Sequence, residues 1–253
     1  MKLSKKIIFD FDGVICDSTF ECLYVAYNSY LTLKNKNPKL IDDINLIDKN
    51  FIKQFVNLRS NIRGADQFLP LIEFIINKEK IINLENKLNR KNKQMEEFKK
   101  IFYEIRLSLR QSNPDKWLSL HKFEEDIIKY LLNLIKQKKK ILIATLKDKE
   151  SIIFLLKSKN IMPNNLDILD KDDIENKEAA INIFEKKYSL NYSEFIFIDD
   201  NVNHLISLNK HNYKTALASW FAKNTNFIKV AIKKKIPIYS KFEILREELI
   251  EKN

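Results

Sequence analysis

Four short apolar runs stand out along the chain, and each ends in a polar residue able to do chemistry. Lys6-Ile7-Ile8-Phe9 runs into Asp10-Phe11-Asp12-Gly13, and Ile141-Leu142-Ile143-Ala144 ends in Thr145. Leu166-Asp167-Ile168-Leu169 ends in Asp170, and Phe195-Ile196-Phe197-Ile198 ends in Asp199-Asp200. Runs of this length and composition read as strands buried on both faces of a parallel sheet. Helical spacing separates them. Phe123 to Gln137 puts Ile127, Ile128, Leu131, Leu132, Leu134 and Ile135 on one broad face, and Lys149 to Lys159 and Lys177 to Tyr188 behave similarly. Lys214 to Ser219 and Ile236 to Tyr239 read as two more strands, and Phe242 to Lys252 as a closing helix. Strand–helix alternation predicts an α/β protein with an open, doubly wound parallel sheet. Ligands of such sheets bind at the carboxyl ends of the strands, where Asp10, Asp12, Thr145 and Asp200 would lie.

Between Asp17 and about Leu120 the pattern changes to helical spacing rich in Lys, Asn, Leu and Ile. Ser18-Thr19-Phe20-Glu21 fits a capping box, with Ser18 as N-cap and Glu21 three residues on. Phe20, Leu23, Tyr24, Tyr27, Tyr30 and Leu31 follow as one stripe, and Met95, Phe98, Phe102, Ile105 and Leu109 form another. Both read as core. The expected organisation is an all-helical insert over 18–120, interrupting a sheet-bearing core made of 1–17 and 121–253. A helical lid beside a strand-end site is a way to exclude water.

Composition narrows the class. The 253 residues are 45% hydrophobic and 31% charged, which is globular composition. The two cysteines, Cys16 and Cys22, lie in no CxxC or Cys/His cluster, which speaks against a disulfide scaffold or a structural zinc site. No apolar run reaches the roughly 18 residues of a membrane span, and aspartates interrupt the N-terminal apolar stretch too early for a signal peptide. The expectation is a soluble, reduced, cytoplasmic protein. The net charge of +11 is compatible with a nucleic-acid partner. The lysines, however, spread along the whole chain, often beside glutamates, so no specific nucleic acid is expected. There are only two glycines, Gly13 and Gly64, and Gly13 directly follows the acidic pair Asp10 and Asp12.

Ile7-Ile8-Phe9-Asp10-Phe11-Asp12-Gly13-Val14-Ile15 resembles the first motif of the haloacid dehalogenase (HAD) superfamily of phosphohydrolases. Ile143-Ala144-Thr145 resembles the second motif, Lys177 at the head of a helix the third, and Phe197-Ile198-Asp199-Asp200 the fourth. All four stand in the family's order across nearly the whole chain, and the helical insert falls where a type-1 cap would sit. The resemblance implies a Rossmann-like, HAD-type core with an inserted cap.

The chemistry such a set supports can be argued from its residue types. A carboxylate can attack phosphorus and form an aspartyl-phosphate, splitting hydrolysis into two steps, and Asp10 is the candidate. Asp12 can protonate the leaving oxygen and then deprotonate the attacking water. Anions meeting a phosphate dianion need a hard cation, and Mg²⁺ fits. By the resemblance its ligands would be the Asp10 carboxylate, the Asp12 backbone carbonyl and Asp200, with Asp199 left to ligate or to orient a water. Lys177 would supply a fixed positive charge, with Lys171 and Lys147 as rivals in nearby loops. Thr145 would offer a hydroxyl and backbone N–H groups to the phosphoryl.

One departure stands out: the family's further acid four or five residues beyond the fourth-motif aspartate is absent. Asn203 or His204 takes its place, and a packing or supporting role is favoured for His204 because imidazole is a poor Mg²⁺ ligand. Arg63, in Arg59-Ser-Asn-Ile-Arg63-Gly64-Ala65, is the expected specificity residue, since Arg grips a carboxylate or second phosphate bidentately. The expected substrate is a small phosphorylated metabolite such as a sugar phosphate or phosphoglycolate. Alternatives are a phosphomutase, a catalytically impaired binding or scaffold protein, and a phosphatase of nucleic-acid ends. The oligomeric state is not legible.

Overall fold

The computed structural model describes residues 6–81, 84–90, 92–189, 191–221 and 224–249. The chain divides into two compact units, one formed by Met1–Asp17 and Phe123–Asn253, the other by Ser18–Lys122.

The first unit is built on a six-stranded sheet. Its strands are β1 (Lys6–Phe9), β4 (Ile141–Ala144), β5 (Leu166–Leu169), β6 (Phe195–Asp199), β7 (Thr215–Ala218) and β8 (Ile238–Tyr239). They lie in the order β5-β4-β1-β6-β7-β8, and every neighbouring pair is parallel. The chain starts in the middle of the sheet, winds outward on one side, then crosses β1 and winds outward on the other. That reversal beside β1 is the switch point at which doubly wound sheets bind ligands. A separate two-stranded sheet pairs β2 (Cys16–Asp17) with β3 (Lys122–Phe123).

The helices are α7 (Glu125–Lys136), α8 (Lys149–Lys157), α9 (Lys177–Tyr188), α10 (Val202–Lys210), α11 (Thr225–Lys233) and α12 (Phe242–Leu249). Ile8, Leu142, Phe195 and Phe197 of the sheet pack with Ile181 and Phe184 of α9 and Leu205 and Leu208 of α10. The expected strand over Ile236 to Tyr239 is shorter, because Ile236 N–H closes the end of α11 on Ala231 O and Pro237 has no N–H to give. The strand expected over Lys214 to Ser219 likewise covers Thr215–Ala218. The last residues of the expected closing helix, beyond 249, lie outside the described residues.

Four helix ends in this unit close in the same way. Lys139 N–H reaches Leu134 O, Ile161 N–H reaches Leu156 O, Tyr213 N–H reaches Leu208 O, and Ile236 N–H reaches Ala231 O. Each closure needs a left-handed residue one position earlier. Lys138, Asn160, Asn212 and Lys235 take that conformation, with φ of 56°, 61°, 64° and 56°. Glycine would fill such places without strain, whereas a side chain there costs about 1–2 kcal/mol.

The second unit contains α1 (Thr19–Lys34), α2 (Lys49–Leu58), α3 (Phe68–Ile76), α4 (Leu84–Leu88), α5 (Lys93–Ser112) and α6 (Pro114–Ser119). Phe51, Phe55, Phe68 and Phe102 form a run of stacked rings through its core, with successive centroids 6.4, 5.6 and 5.3 Å apart. Two expectations fail at the start of α1. Ser18 stands at the N-cap, but its side chain makes no capping bond to the helix. Glu21 turns inward to a partner on another helix. It is fully buried, and both its oxygens meet Arg106 of α5, at 2.7 and 2.9 Å. Phe20, assigned to the core stripe, is 46% exposed.

Candidate active site

Sheet register assembles the site. Phe9 of β1 lies opposite Ile143 of β4 and Ile198 of β6. The next residue on each strand therefore falls in one row, with Asp10 between Ala144 and Asp199. The Asp10 N–H donates to Ile198 O at 2.8 Å, which holds the row closed. Asp10 is 7% exposed and Asp199 fully buried, although carboxylates are seldom buried without a partner.

Lys177 is that partner. It opens α9, the end of a helix where a cation opposes the macrodipole, and it is 4% exposed. Its Nζ donates to Asp10 Oδ1 at 2.8 Å and to Ala144 O at 2.7 Å, and lies 3.7 Å from Asp199 Oδ2. Burial pushes the Lys177 ammonium down, but Asp10 and Asp199 overcome this and hold it above its ordinary value. Burial also pushes the Asp10 carboxyl up, and Asp199 adds to the rise against the pull of Lys177. For Asp199 burial acts in the same upward sense, yet His204 and Lys177 prevail and hold it below the ordinary range.

Asp199 is supported from the helix that follows it. Asn201 N–H donates to its Oδ1 at 2.8 Å, and His204 Nδ1 lies 2.9 Å from its Oδ2. His204 thus stands where sequence reasoning left a gap, touching an acid rather than supplying one.

Asp200 lies over the turn after β1. Gly13 has φ +79°, and a Cβ on it would lie 2.1 Å from Asp200 Oδ2. The positive φ favours glycine, and a methyl there would displace that carboxylate, which accounts for one of the two glycines in the chain. One carboxylate oxygen from each of Asp10, Asp199 and Asp200 falls within 4.8 Å of the others. The three carboxylates bring hard oxygen donors together beside Lys177. That donor set fits a small divalent cation such as Mg²⁺.

The remaining expected residues fall as follows. Thr145 is buried at the end of β4. Its own N–H is committed to Leu169 O at 3.0 Å, so its hydroxyl remains the group it can offer. The Asp12 side chain is not in the carboxylate cluster; its Oδ1 lies 3.3 Å from Lys147 Nζ. Of the three lysines considered, Lys177 reaches Asp10, Lys147 reaches Asp12, and Lys171 pairs with Asp172 on the surface. Arg63 lies in the helical unit, exposed, with its N–H bonded to Gln67 Oε1 at 2.7 Å. Its neighbour Arg59 is turned inward over the Phe68 ring, 5.3 Å from its centroid.

No family model matches the sequence, and no curated protein matches it. Solved structures do. One, provisionally described as a phosphoglycolate phosphatase from Lactobacillus delbrueckii subsp. bulgaricus, superposes with TM-score 0.66 at 14% identity, over 99% of this chain and 100% of its own. A haloacid dehalogenase-like family hydrolase from Streptococcus pneumoniae gives 0.59 at 14% identity, over 96% and 98%. A protein provisionally described as a β-phosphoglucomutase from Thermotoga maritima gives 0.57 at 14% identity, over 96% and 99%. The chain therefore has the α/β fold of the haloacid dehalogenase-like hydrolases along nearly its full length. Among the described residues no helix is long and apolar enough to cross a membrane.

Proposed function

We propose that this protein is a Mg²⁺-dependent phosphatase that hydrolyses a small organic phosphomonoester through an aspartyl-phosphate on Asp10. The observation that carries the reading is the buried Asp10 at a strand end, held by Lys177 at 2.8 Å and grouped with Asp199 and Asp200. The described neighbours, phosphatases and hydrolases among them, support the same class.

Asp10, Asp199 and Asp200, with the Asp12 carbonyl, would hold the cation. Bound there, Mg²⁺ would offset the charge of the phosphoryl group and its carboxylate neighbours. The residues then divide the work. Lys177 holds one Asp10 oxygen, so the other is left to attack phosphorus as the bond to the leaving oxygen breaks. The proton that oxygen needs comes from Asp12. In the second step water attacks the same phosphorus, gives its proton to Asp12, and the bond to Asp10 breaks. The Thr145 hydroxyl would donate to the transferring phosphoryl, where fixed dipoles act most strongly. Asn201 and His204 keep Asp199 oriented. Ser18–Lys122 is proposed as a cap, with Arg63 biasing the choice among anionic substrates.

The test is a phosphate-release screen over small phosphate esters, including phosphoglycolate and sugar phosphates, with Mg²⁺ and after EDTA. Magnesium-dependent release, silenced by EDTA and restored by Mg²⁺, is expected; undiminished activity after exhaustive chelation would contradict the mechanism. The described mutase neighbour motivates one further arm. Isomerisation of a sugar phosphate without net phosphate release would favour a phosphomutase instead.

A further inference from the structure

Lys147 is the buried cation that the mechanism above leaves without a task. It lies in the loop between β4 and α8, and its side chain is fully buried. An ammonium is removed from water at large cost unless a charge or dipole meets it. Here Asp12 does, with Oδ1 3.3 Å from Lys147 Nζ. The two acids that follow β1 thus have a lysine each: Lys177 from α9 for Asp10, and Lys147 from the β4–α8 loop for Asp12.

The loop carrying Lys147 is pinned on both sides. Before it, Thr145 N–H is bonded to Leu169 O at 3.0 Å, and the Lys147 N–H donates to Thr145 Oγ1 at 3.3 Å. After it, Asp148 caps α8 through the Ser151 N–H at 2.9 Å, and the Lys149 N–H donates to Asp170 Oδ2 at 2.7 Å. Asp170 in turn accepts the Asp172 N–H at 3.0 Å. Asp12 has the opposite setting. It sits in the turn that contains Gly13, and its side chain is 22% exposed. A carboxylate at a partly open turn is oriented by the groups that meet it, and Lys147 meets it from a rigid, buried position.

We propose that Lys147 is a positioning residue for Asp12, holding one carboxylate oxygen so that the other is presented to the leaving group and then to water. The inference rests on the proposed phosphatase reading, in which Asp12 moves the proton. It adds a member to the site that acts through Asp12 and not on phosphorus.

The experiment compares two leaving groups. p-Nitrophenolate departs from phosphorus without needing a proton, whereas an alkoxide needs one. In Lys147→Met, turnover of the best alkyl phosphate from the screen should fall about 100-fold, the scale set by misplacing a proton donor. With p-nitrophenyl phosphate the first turnover should stay within a few-fold of normal, followed by slow release of phosphate, because Asp12 is still needed for the second step. Lys147→Arg should recover part of the alkyl-phosphate rate. Inhibition by inorganic phosphate should be unchanged, since Lys147 is not assigned to the phosphoryl group. In an Asp12→Asn background, adding Lys147→Met should cost nothing further, a result that a general loss of folding would not give.

Equal losses in the first turnover of both substrates overturn the proposal, as do weakened inhibition by inorganic phosphate or additive losses in the double variant. Should Lys147→Met not fold, the same comparison is made with Lys147→Gln. Asp10→Asn is run in parallel. If it keeps its turnover, the phosphatase reading and this inference fall together. If it is dead while Lys147→Met is normal on alkyl phosphates, this inference alone falls.

Discussion

Both units bury a carboxylate against a cation, and the two pairs are built differently. In the helical unit Glu21 and Arg106 meet as a fork on a fork, with Nε–Oε1 at 2.7 Å and Nη2–Oε2 at 2.9 Å. The Trp117 indole N–H adds a long contact of 3.4 Å to the same carboxylate, and the Arg106 guanidinium lies 4.7 Å from the centroid of the Phe102 ring. One positive charge meets one negative charge, and the surrounding groups satisfy both. In the sheet unit a single Lys177 serves Asp10 and approaches Asp199, while Asp200 is held close by. Burial and the Asp199 charge raise the Asp10 carboxyl against the pull of Lys177, while His204 and Lys177 hold Asp199 below the ordinary range. The first pair is finished by its own protein neighbours. The second makes chemical sense when a cation and a phosphoryl group are brought to it. A gathering of carboxylates, more than burial itself, therefore distinguishes the sheet unit's pair from that of the helical unit.

The sharpest way to test that contrast is to remove one carboxylate from each unit's pair. Asp10→Asn should lower phosphate release by at least about 10³-fold, as expected for loss of a covalent nucleophile. It should not lower the melting temperature, because it relieves crowding among three acids while Lys177 keeps Ala144 O and Asp199. Mass spectrometry should accompany the assay to exclude deamidation back to Asp. A variant that melts several degrees lower would show that the Asp10–Lys177 pair is structural, like its counterpart.

Arg106→Met should behave in the opposite way. It leaves the fully buried Glu21 carboxylate without its cation, a change that typically costs about 3–5 kcal/mol. Replacing both partners, Glu21→Met with Arg106→Met, should recover most of that loss, because two apolar groups leave no charge behind. Denaturant melts of the two singles and the double give the coupling directly. If the losses simply add, the pair is not the closed unit that its geometry describes.

These pairs also show what was legible in the sequence. The sheet was, because buried parallel strands are short apolar runs and the chain separates them with amphipathic helices. Asp10, Asp199 and Asp200 were legible as strand-end acids, since register along β1 and β6 needs only local pattern to be read. The partners were harder. Glu21 and Arg106 are 85 residues apart, and Glu21 sits in a local setting that also fits a capping box. Nothing local distinguishes a glutamate that turns back to the N-cap from one that turns inward. Lys147 was hidden for a related reason: the sequence places it in a loop near the site, but only packing reveals which acid it faces. Lys177, 167 residues from Asp10, was found through family resemblance and not through its own surroundings.

Gly13 links the acidic turn to Asp200, and Gly13→Ala is the next most damaging change expected. The left-handed backbone alone costs a side chain about 1–2 kcal/mol. The added methyl would also lie 2.1 Å from Asp200 Oδ2, so the carboxylate must move. The variant should melt lower and need more Mg²⁺ for half-maximal activity. A lower melt with an unchanged Mg²⁺ response would place Asp200 outside the cation site.

His204 should matter less than the acids it stands behind. Its contact is with Asp199 Oδ2, at 2.9 Å, and Asp199 also accepts the Asn201 N–H. His204→Asn should therefore shift the Mg²⁺ midpoint by about tenfold, the low end of the 10–100-fold typical for losing an outer partner of a ligand, because the Asn201 N–H still holds Asp199. Asp200→Ala should shift it much further. Equal shifts in the two variants would make His204 the functional replacement for the family's missing acid.

The weakest charges in the molecule are those on its surface, and they give the smallest expected effect. Lys34 pairs with Glu73 at 2.8 Å and Lys159 with Glu125 at 3.0 Å. Exposed pairs of this kind contribute about 0–1 kcal/mol and are screened by salt. They also break up the positive field, so that a charge of +11 is spread over the surface among acids. Binding to a nucleic acid would run through phosphates and release counterions, with log K falling by about 0.9 per phosphate contact against log salt. Few contacts can form at once on a surface of interleaved charges. Weak binding to single-stranded and duplex oligonucleotides is therefore expected at low salt and none at physiological salt. Turnover of a small phosphate should depend much less on salt, because its charges are met by buried groups and not by the surface. A fluorescence-anisotropy titration at several salt concentrations decides this. Tight, salt-resistant binding to an RNA or DNA end would place a third, ordered arrangement of charge on the molecule and move the search for its substrate to nucleic-acid termini.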